Sequence, residues 1–369
     1  MLYLLSDFAK FWSPLRLFDY VTFRTGGAAL TSFLIVLLLG GWTARKLKSL
    51  NAQAATRLEG LGLPQEMIDR EKDKTPCMGG ILIIGAILIS ALLWTEITNP
   101  IALILWGAAL AFSLIGFYDD FMKVVYKRRD GIPGKLKLLL QIIVAACAVW
   151  GMTRTPALKD YMDCFMVPFL KTPVTWCNLS SLYFTVPLAV VVIVGASNAV
   201  NLTDGKDGLA SGCTIFCTLA YAGFAYLMGH KVFAEYLNIP FISGAGEAMV
   251  FSAAVCGACI GFLWHNCHPA SMFMGDTGSL ALGGIIGMLA VLVRQEVLLV
   301  LVGWVFVMEA LSVMIQVTSF KLTGKRVFLC SPIHHHFERL GWTETQIVVR
   351  FWIIAGICTL LALATLKLR

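Results

Sequence analysis

Long apolar stretches alternate with short polar segments along nearly the whole chain. A helix needs about 20 mostly apolar residues to cross a bilayer, and in lipid its backbone groups are satisfied within the helix itself. The pattern therefore predicts ten transmembrane helices, with the fourth the shortest. The stretches fall near residues 26–44, 79–95, 101–118, 138–152, 183–200, 209–228, 248–264, 278–293, 297–320 and 347–366.

The polar segments on the two sides of this predicted bundle differ in charge. The loops at 43–78, 119–137, 201–208, 265–277 and 321–346 contain eighteen Lys and Arg residues, whereas those at 96–100, 153–182, 229–247 and 294–296 contain five. Basic residues are retained preferentially on the cytoplasmic side. The first set of loops is therefore predicted to be cytoplasmic, with both termini periplasmic.

The composition agrees with an all-α integral membrane protein, in which residues 1–369 form a single polytopic domain. Hydrophobic residues make up 58% of the chain and charged residues 14%, against about 45–50% and 25% in soluble domains. The net charge of +7 is concentrated in a few loops, where topology and anionic membrane lipids account for it. No nucleic-acid partner is predicted.

Nearly every unusual polar run lies in a loop predicted to be cytoplasmic. This favours one catalytic face over a channel, whose polar groups would follow a whole path through the membrane. Asp119 and Asp120 end the third stretch. Two adjacent carboxylates at a helix C-terminus oppose the helix dipole and repel each other unless a cation intervenes. The alternative interpretation is the start of a solvated loop.

The run after the fifth stretch places Asn201, Asp204 and Asp207 three residues apart. A helical turn would align them roughly on one face, and the glycines at 205 and 208 would let a ligand approach the backbone. The run lacks the ligand spacing of a calcium-binding EF-hand. A polar turn without a ligand is the alternative.

Asp276 lies between glycines at the start of the eighth stretch, with Asn266 shortly before it. Magnesium commonly takes one or two carboxylates together with water and substrate phosphate. The free N–H groups at the start of the next helix also favour phosphate. We therefore expect Asp276 to be a Mg²⁺ ligand.

Other polar groups are predicted to contact the substrate. His334, His335 and His336 are adjacent and point in different directions, which disfavours a zinc site and favours separate hydrogen bonds to phosphate or sugar oxygens. The basic run that includes Lys135 and Lys137 either binds anionic substrate or anchors the topology. Polar residues inside a span usually face the bundle interior, so Glu309 and Gln316 are expected to line the site.

Six runs occur here in the order and spacing of a known family: TPCMGG (75–80), GFYDD (116–120), GKLKLLLQ (134–141), NAVNLTDGKDGLA (198–210), FMGDTGSL (273–280) and PIHHHFE (332–338). The chain thus resembles the phospho-N-acetylmuramoyl-pentapeptide-transferases, a branch of the polyprenyl-phosphate hexose-1-phosphate transferases. The resemblance implies transfer of phospho-MurNAc-pentapeptide from UDP-MurNAc-pentapeptide to undecaprenyl phosphate, giving lipid I and UMP. It further implies a Mg²⁺ cofactor, a homodimer and a bacterial inner membrane location with the active site facing the cytoplasm.

The resemblance also assigns roles to individual residues. The implied catalytic residues are Asp119, Asp120, Asp276 and His334, with Asp276 binding the metal. Together with residues singled out above by their position, the predicted substrate-binding residues are Lys72, Cys77, Asn201, Asp204, Asp207, Asn266, Phe273, Gln316 and His335. Among them, Phe273 is similar to an aromatic that stacks on uracil. The chain departs from the family pattern at Lys74, Cys77 and Lys206, and these departures bear on the nucleoside pocket.

Three alternatives remain open at this point. A related enzyme transfers GlcNAc-1-phosphate to the same lipid, although the HHHFE loop favours the muramoyl-peptide donor. A transporter for a phosphorylated solute is the alternative from another class, and it predicts polar residues on both sides of the bundle. For the reaction itself we expect direct transfer, with Asp119 as a base. In a two-step scheme Asp120 would instead attack first and form a covalent intermediate.

Overall fold

The computed structural model describes residues 1–50, 52, 75–128, 131–170, 174 and 181–368. Lys72 and Lys74 lie outside these residues. The described part of the chain is helical and contains no strand, so this is an all-α integral membrane protein. The α-helices are α1 (Val21–Ser49), α2 (Gly80–Trp94), α3 (Pro100–Val124), α4 (Gly134–Arg154), α5 (Pro156–Lys159), α6 (Leu182–Thr203), α7 (Leu209–Gly229), α8 (Lys231–Leu237), α9 (Gly246–Asn266), α10 (Gly275–Leu292), α11 (Leu299–Val302), α12 (Trp304–Thr323), α13 (Ile333–Arg339) and α14 (Glu344–Ala364).

Within the described residues, nine helical segments are long and apolar enough to cross a membrane. The second predicted span corresponds to α2, an apolar helix of 15 residues. At 1.5 Å per residue α2 extends about 22 Å, which is shorter than a hydrocarbon core of about 30 Å. The fourth span, expected to be the shortest, is a 21-residue helix. The count of ten spans thus stays a prediction that depends on α2.

The ninth predicted span is not one continuous helix. Residues 297–320 were expected to form it, but α11 ends at Val302 and α12 begins at Trp304. Gly303 lies between them with φ −96° and ψ 25°. Glycine has poor helix propensity, so an interruption at this position is physically reasonable. The N-terminal residues form short 3₁₀ segments, and α1 begins at Val21, earlier than the predicted 26.

Helix α10 lies at the centre of the bundle and packs against α2, α3 and α6. Glycines make these contacts unusually close. A Cβ on Gly80 would overlap the backbone of Gly278, and a Cβ on Gly116 would overlap the backbone of Asp276. Small residues allow transmembrane helices to approach closely and pack by van der Waals contact. This packing brings the N-terminus of α10 against the C-terminal ends of α3 and α6.

The two ends of the bundle differ in their polar contacts. We call the polar end the one that carries Asp119, Asn201 and Asp276. At the opposite end, Arg294 is buried and donates through Nη2 to the Cys164 carbonyl oxygen at 2.5 Å. This contact fastens the loop after α5 to the end of α10.

We predict that Gly116→Ala destabilises the protein by about 1–3 kcal/mol, the usual cost of overpacking a close contact. Gly107→Ala is the matched control, because Gly107 also lies in α3 and a Cβ there would meet nothing within 4 Å. The control should be neutral or slightly stabilising, since Ala favours a helix by up to about 1 kcal/mol over Gly. The apparent melting temperature in detergent measures both effects, and equal losses in the two variants would contradict the packing argument.

Candidate active site

The three aspartates singled out by the sequence meet at the polar end. Asp119 and Asp120 lie in the last turns of α3, and Asp276 lies in the first turn of α10. Gly275 precedes Asp276 with φ +75°, and a Cβ there would lie 2.7 Å from Oδ2 of Asp120. Glycine adopts this left-handed conformation without strain. The chain can therefore turn into α10 directly beside the α3 carboxylates.

Asp120 caps the N-terminus of α10. Its Oδ1 accepts from the Asp276 N–H at 3.1 Å, and its Oδ2 accepts from the Thr277 N–H at 2.8 Å and the Thr277 hydroxyl at 2.6 Å. A carboxylate at this position satisfies free N–H groups and complements the positive end of the helix dipole. Both oxygens of Asp120 are thus engaged in holding α10 in place.

Two lysines lie between Asp119 and Asp276. The Lys123 ammonium lies 2.6 Å from Oδ2 of Asp119 and 2.8 Å from Oδ2 of Asp276. The Lys137 ammonium lies 2.6 Å from the same Asp276 oxygen and 3.6 Å from Asp119. These ion pairs offset much of the repulsion among the carboxylates, because unlike charges at such distances in a low-dielectric site attract strongly.

These lysines were absent from the predicted site residues, and the sequence held only partial signals for them. Lys137 belongs to the GKLK run, whose lysines could equally be explained as anchors of the membrane topology. Lys123 follows Asp119 by one helical turn, so it could be explained as an ordinary ion-pair neighbour on the same helix. Which lysine reaches Asp276 depends on how α3 packs against α10 and on how α4 packs against α3 and α6, and that information is not local in sequence.

The three aspartates form a chemically suitable site for a divalent cation. One carboxylate oxygen from each of Asp119, Asp120 and Asp276 lies within 4.8 Å of the others. Asp119 and Asp120 are buried, and the Asp276 side chain is 13% exposed. An all-oxygen donor set of this kind suits Mg²⁺. Asp120 contacts the backbone of α10, whereas Oδ2 of Asp119 and Oδ2 of Asp276 face the lysine ammonium groups, a position that a metal cation could occupy in their place.

Asn201 connects the end of α6 to the same group. Its amide Nδ2 donates to Oδ1 of Asp276 at 2.8 Å and to the Ser279 hydroxyl at 2.9 Å. Asp204 follows at the helix C-cap. Burial raises the pKa of Asp204 well above its usual range, and the charges of Asp276 and Asp120 add to the shift. Asp204 therefore shares the electrostatic environment of the aspartate cluster.

The prediction that a helical turn aligns Asn201, Asp204 and Asp207 was wrong for Asp207. Helix α6 ends at Thr203, and Gly208 takes a left-handed φ of +79° in the turn that follows. Asp207 contacts the loop after α9, where its Oδ2 lies 3.1 Å from Nδ1 of His268.

Asn266 connects the loop after α6 to the loop after α9. Its Oδ1 accepts from the Gly208 N–H at 3.0 Å, and its Nδ2 donates to the Met272 carbonyl at 2.9 Å. The side chain is buried and its two polar ends bridge the loops after α6 and α9. Asn266 therefore fixes the backbone at Gly208, the residue that follows Asp207.

Cys77 and Phe273 lie on paired segments next to the cluster. The Phe273 N–H donates to the Pro76 carbonyl at 2.8 Å, and the Gly79 N–H donates to the Phe273 carbonyl at 2.8 Å. Burial raises the pKa of the Cys77 thiol, and the Asp120 charge adds to this effect. Phe273 is partly buried.

The three histidines point to different partners, as their adjacency predicted. Nδ1 of His334 lies 3.1 Å from Oε2 of Glu309, and both side chains are buried. Nδ1 of His335 lies 2.9 Å from Oε2 of Glu338. The Lys206 ammonium contacts the other Glu338 oxygen at 2.7 Å. These partners lower the pKa of Glu338 to about 2, with the His335 contact the largest cause.

Gln316 is placed differently from the other predicted residues. Its Oε1 accepts from the N–H groups of Val327 and Phe328, and its Nε2 donates to the Phe328 carbonyl. The amide thus fastens the loop after α12 to the end of that helix. Its assignment as a substrate-binding residue stays a prediction, as does that of Lys72.

Known proteins resemble this chain along its whole length. Residues 102–294 match the family model described as glycosyl transferase family 4. The chain is 47% identical to phospho-N-acetylmuramoyl-pentapeptide-transferase of Neisseria meningitidis serogroup C over 365 residues, which is 99% of each chain. It is 45% identical to the enzyme of that name from Methylacidiphilum infernorum over 369 residues, 100% of each. The matches cover every helix that forms the aspartate cluster, and the chain belongs to the phospho-N-acetylmuramoyl-pentapeptide-transferase family.

Proposed function

We propose that this protein transfers phospho-MurNAc-pentapeptide from UDP-MurNAc-pentapeptide to undecaprenyl phosphate, producing lipid I and UMP for peptidoglycan synthesis. The observation that carries the proposal is the meeting of Asp119, Asp120 and Asp276 with two lysines at one end of the bundle. A diphosphate donor needs both cationic groups and metal-binding carboxylates at one place. The full-length relatives with this enzyme name supply the substrate class.

Asp276, with Asp119 beside it, would hold Mg²⁺. When bound, the ion would neutralise negative charge on the donor diphosphate and on the departing UMP. Lys123 and Lys137 already contact these carboxylates, and their ammonium groups are suited to hold phosphate oxygens. Asn201 fixes the orientation of Asp276 through its 2.8 Å hydrogen bond.

In the proposed reaction, an oxygen of the lipid phosphate forms a bond to the phosphorus that carries the sugar. The bond from that phosphorus to the bridging oxygen breaks, and UMP leaves with the electron pair. We assign Asp119 as the base that accepts the last proton of the lipid phosphate. Asp207 and Phe273 are proposed to bind the nucleoside, with Asp204, Asn266 and Cys77 shaping the pocket around it.

We favour direct transfer over a covalent intermediate on Asp120. Both oxygens of Asp120 accept hydrogen bonds from the start of α10. Attack by this carboxylate would break these hydrogen bonds and so disrupt the cap of the helix that carries Asp276. We therefore assign Asp120 a positioning role.

The remaining parts of the proposal concern location. The charge distribution of the loops supports a bacterial inner membrane enzyme whose polar end faces the cytoplasm. Undecaprenyl phosphate would then enter from the bilayer at the level of the helix ends.

We also propose that the protein is a homodimer in membrane lipid. The donor with GlcNAc in place of MurNAc-pentapeptide is the nearest alternative substrate.

We predict that Asp276→Asn lowers UMP release at least about 100-fold, because it removes a metal-binding charge from the site. Purified protein is given UDP-MurNAc-pentapeptide, undecaprenyl phosphate and Mg²⁺, and chelation by EDTA should abolish release. Asp160→Asn, at an exposed carboxylate of the opposite end, is the control and should retain activity. UMP release with UDP-GlcNAc alone would overturn the assignment of UDP-MurNAc-pentapeptide as the donor. No UMP release with either donor would restore the transporter hypothesis.

Lys137→Met should lower kcat/KM for the UDP-sugar roughly 10- to 100-fold, the usual effect of losing a charge-assisted hydrogen bond. Lys135→Met is the matched control, since Lys135 lies in the same turn of α4 and is exposed. Steady-state kinetics with varied donor concentration measure the difference. Equal losses in both variants would indicate a general charge effect and exclude a specific contact at Asp276.

Direct transfer predicts no covalent phosphosugar enzyme. Wild-type protein is mixed with donor labelled in the sugar, without lipid acceptor, and is quenched rapidly with acid and analysed by mass spectrometry. The Asp120→Asn variant is the control, because its amide cannot form the acyl phosphate. Label bound to wild-type protein and lost in this variant would replace direct transfer with the two-step scheme.

A further inference from the structure

The last turns of α12 and the loop after them expose apolar side chains away from the bundle. No residue of α12 from 313 to 323 is buried, and Leu322 is 79% exposed. Exposed apolar groups at the end of a membrane-spanning helix lie in lipid, because removal from water is favourable for them. We call residues 320–329 the basic segment. Its exposed apolar residues are Phe320, Leu322, Val327 and Leu329.

Three cations lie between these apolar side chains. Lys321, Lys325 and Arg326 are all exposed, and the sequence from 317 to 330 contains no acidic residue. None of the three forms an ion pair with any residue that the structure describes. Basic and apolar groups together suit the edge of a bilayer, because the apolar groups enter the lipid while the charged ends stay at the level of the headgroups.

Hydrogen bonds hold the basic segment in one shape. Oε1 of Gln316 accepts from the N–H groups of Val327 and Phe328 at 3.0 and 2.9 Å, and its Nε2 donates to the Phe328 carbonyl at 3.1 Å. The Ser319 hydroxyl donates to the Lys325 carbonyl at 3.0 Å. The loop therefore runs back along the last turns of α12 and keeps its cations close to that helix end. A surface already held in shape loses less conformational entropy when it binds a ligand.

We propose that the basic segment binds the phosphate groups of anionic phospholipids in the leaflet at the polar end, and that Gln316 is a positioning residue that keeps this surface in shape. Each Lys or Arg close to an anionic membrane strengthens binding roughly fivefold. Helix α13 begins at Ile333, shortly after the segment, so bound lipid steadies the chain that leads into this helix. The effect on activity rests on the proposed function, whereas lipid binding does not.

Photocrosslinking measures lipid binding at this surface directly. The full-length protein is placed in vesicles of phosphatidylcholine and phosphatidylglycerol, one of which carries a photoreactive group next to its headgroup, and mass spectrometry locates the crosslinks. We expect phosphatidylglycerol to label residues 320–329 more strongly than phosphatidylcholine does. The triple variant Lys321→Gln, Lys325→Gln, Arg326→Gln should lower labelling of this segment by phosphatidylglycerol at least about tenfold.

The matched control removes three cations from the end of α1. Arg45, Lys46 and Lys48 are also exposed, and their replacement by Gln should leave the labelling of residues 320–329 unchanged. Equal labelling of the segment by the two lipids would overturn the proposal. Equal losses in the two triple variants would indicate a general effect of net charge and would also overturn it.

A change at Gln316 tests its positioning role while every cation of the segment remains. Gln316→Met removes the hydrogen bonds to the loop backbone, so labelling by phosphatidylglycerol should fall and spread beyond residues 320–329. Thr318→Val is the control, because Thr318 is exposed on the same part of α12, and it should label as the wild type does. Unchanged labelling in Gln316→Met would refute the positioning role.

Activity measurements separate this inference from the proposed function. UMP release by the wild type should fall when phosphatidylglycerol is omitted from the vesicles, whereas release by the Lys321, Lys325 and Arg326 triple variant should not depend on this lipid. Equal stimulation of both proteins would refute the effect on activity. Wild-type protein that releases no UMP in any vesicle would refute the proposed reaction, yet the crosslinks would still decide the lipid surface.

A competition experiment distinguishes the bulk phospholipid from the lipid acceptor. Undecaprenyl phosphate is added to the vesicles in an amount much smaller than that of phosphatidylglycerol. We expect labelling of residues 320–329 by phosphatidylglycerol to persist, because the surface binds the abundant lipid. Loss of this labelling would make the basic segment a site for the acceptor and would overturn the proposal.

Discussion

The close packing of α10 against its neighbours is the constraint on which the site depends. Gly80 and Gly116 have no side chains where α2 and α3 meet α10, so the helix backbones approach closely. The N-terminus of α10, with its free N–H groups, then meets the carboxylate of Asp120. Van der Waals packing along the helix and one cap at its end together fix the position of Asp276.

The charges at the polar end follow from this arrangement. Packing brings carboxylates together whose repulsion would oppose the fold, and Lys123 and Lys137 offset it through ion pairs of 2.6–2.8 Å. The same ammonium groups suit the phosphates of the proposed donor. The lysines that stabilise this arrangement of carboxylates thus also have the chemistry to bind the substrate. Asp120, by contrast, contributes mainly as a helix cap.

Several predictions depended on local rules that the tertiary structure overrode. The alignment of Asp207 with Asn201 assumed a continued helix, but α6 ends at Thr203 before the glycine turn. The ninth span was expected to be continuous, yet it is interrupted at Gly303. In both cases the spacing of apolar or polar residues was interpreted correctly. The residue at which a helix ends, however, depends on backbone geometry and packing, and the periodicity of the sequence carries no information about these.

The sequence by itself determined the all-α membrane fold, the family and the residues that form the aspartate cluster. Hydropathy indicates spans because lipid satisfies no backbone hydrogen bonds, and the six polar runs identify a family by their order. Only the tertiary structure decided which groups touch: the cap by Asp120, the two lysines at Asp276, and the pairing of His334 with Glu309. Such contacts join residues far apart in the chain, and they depend on how closely the helices pack.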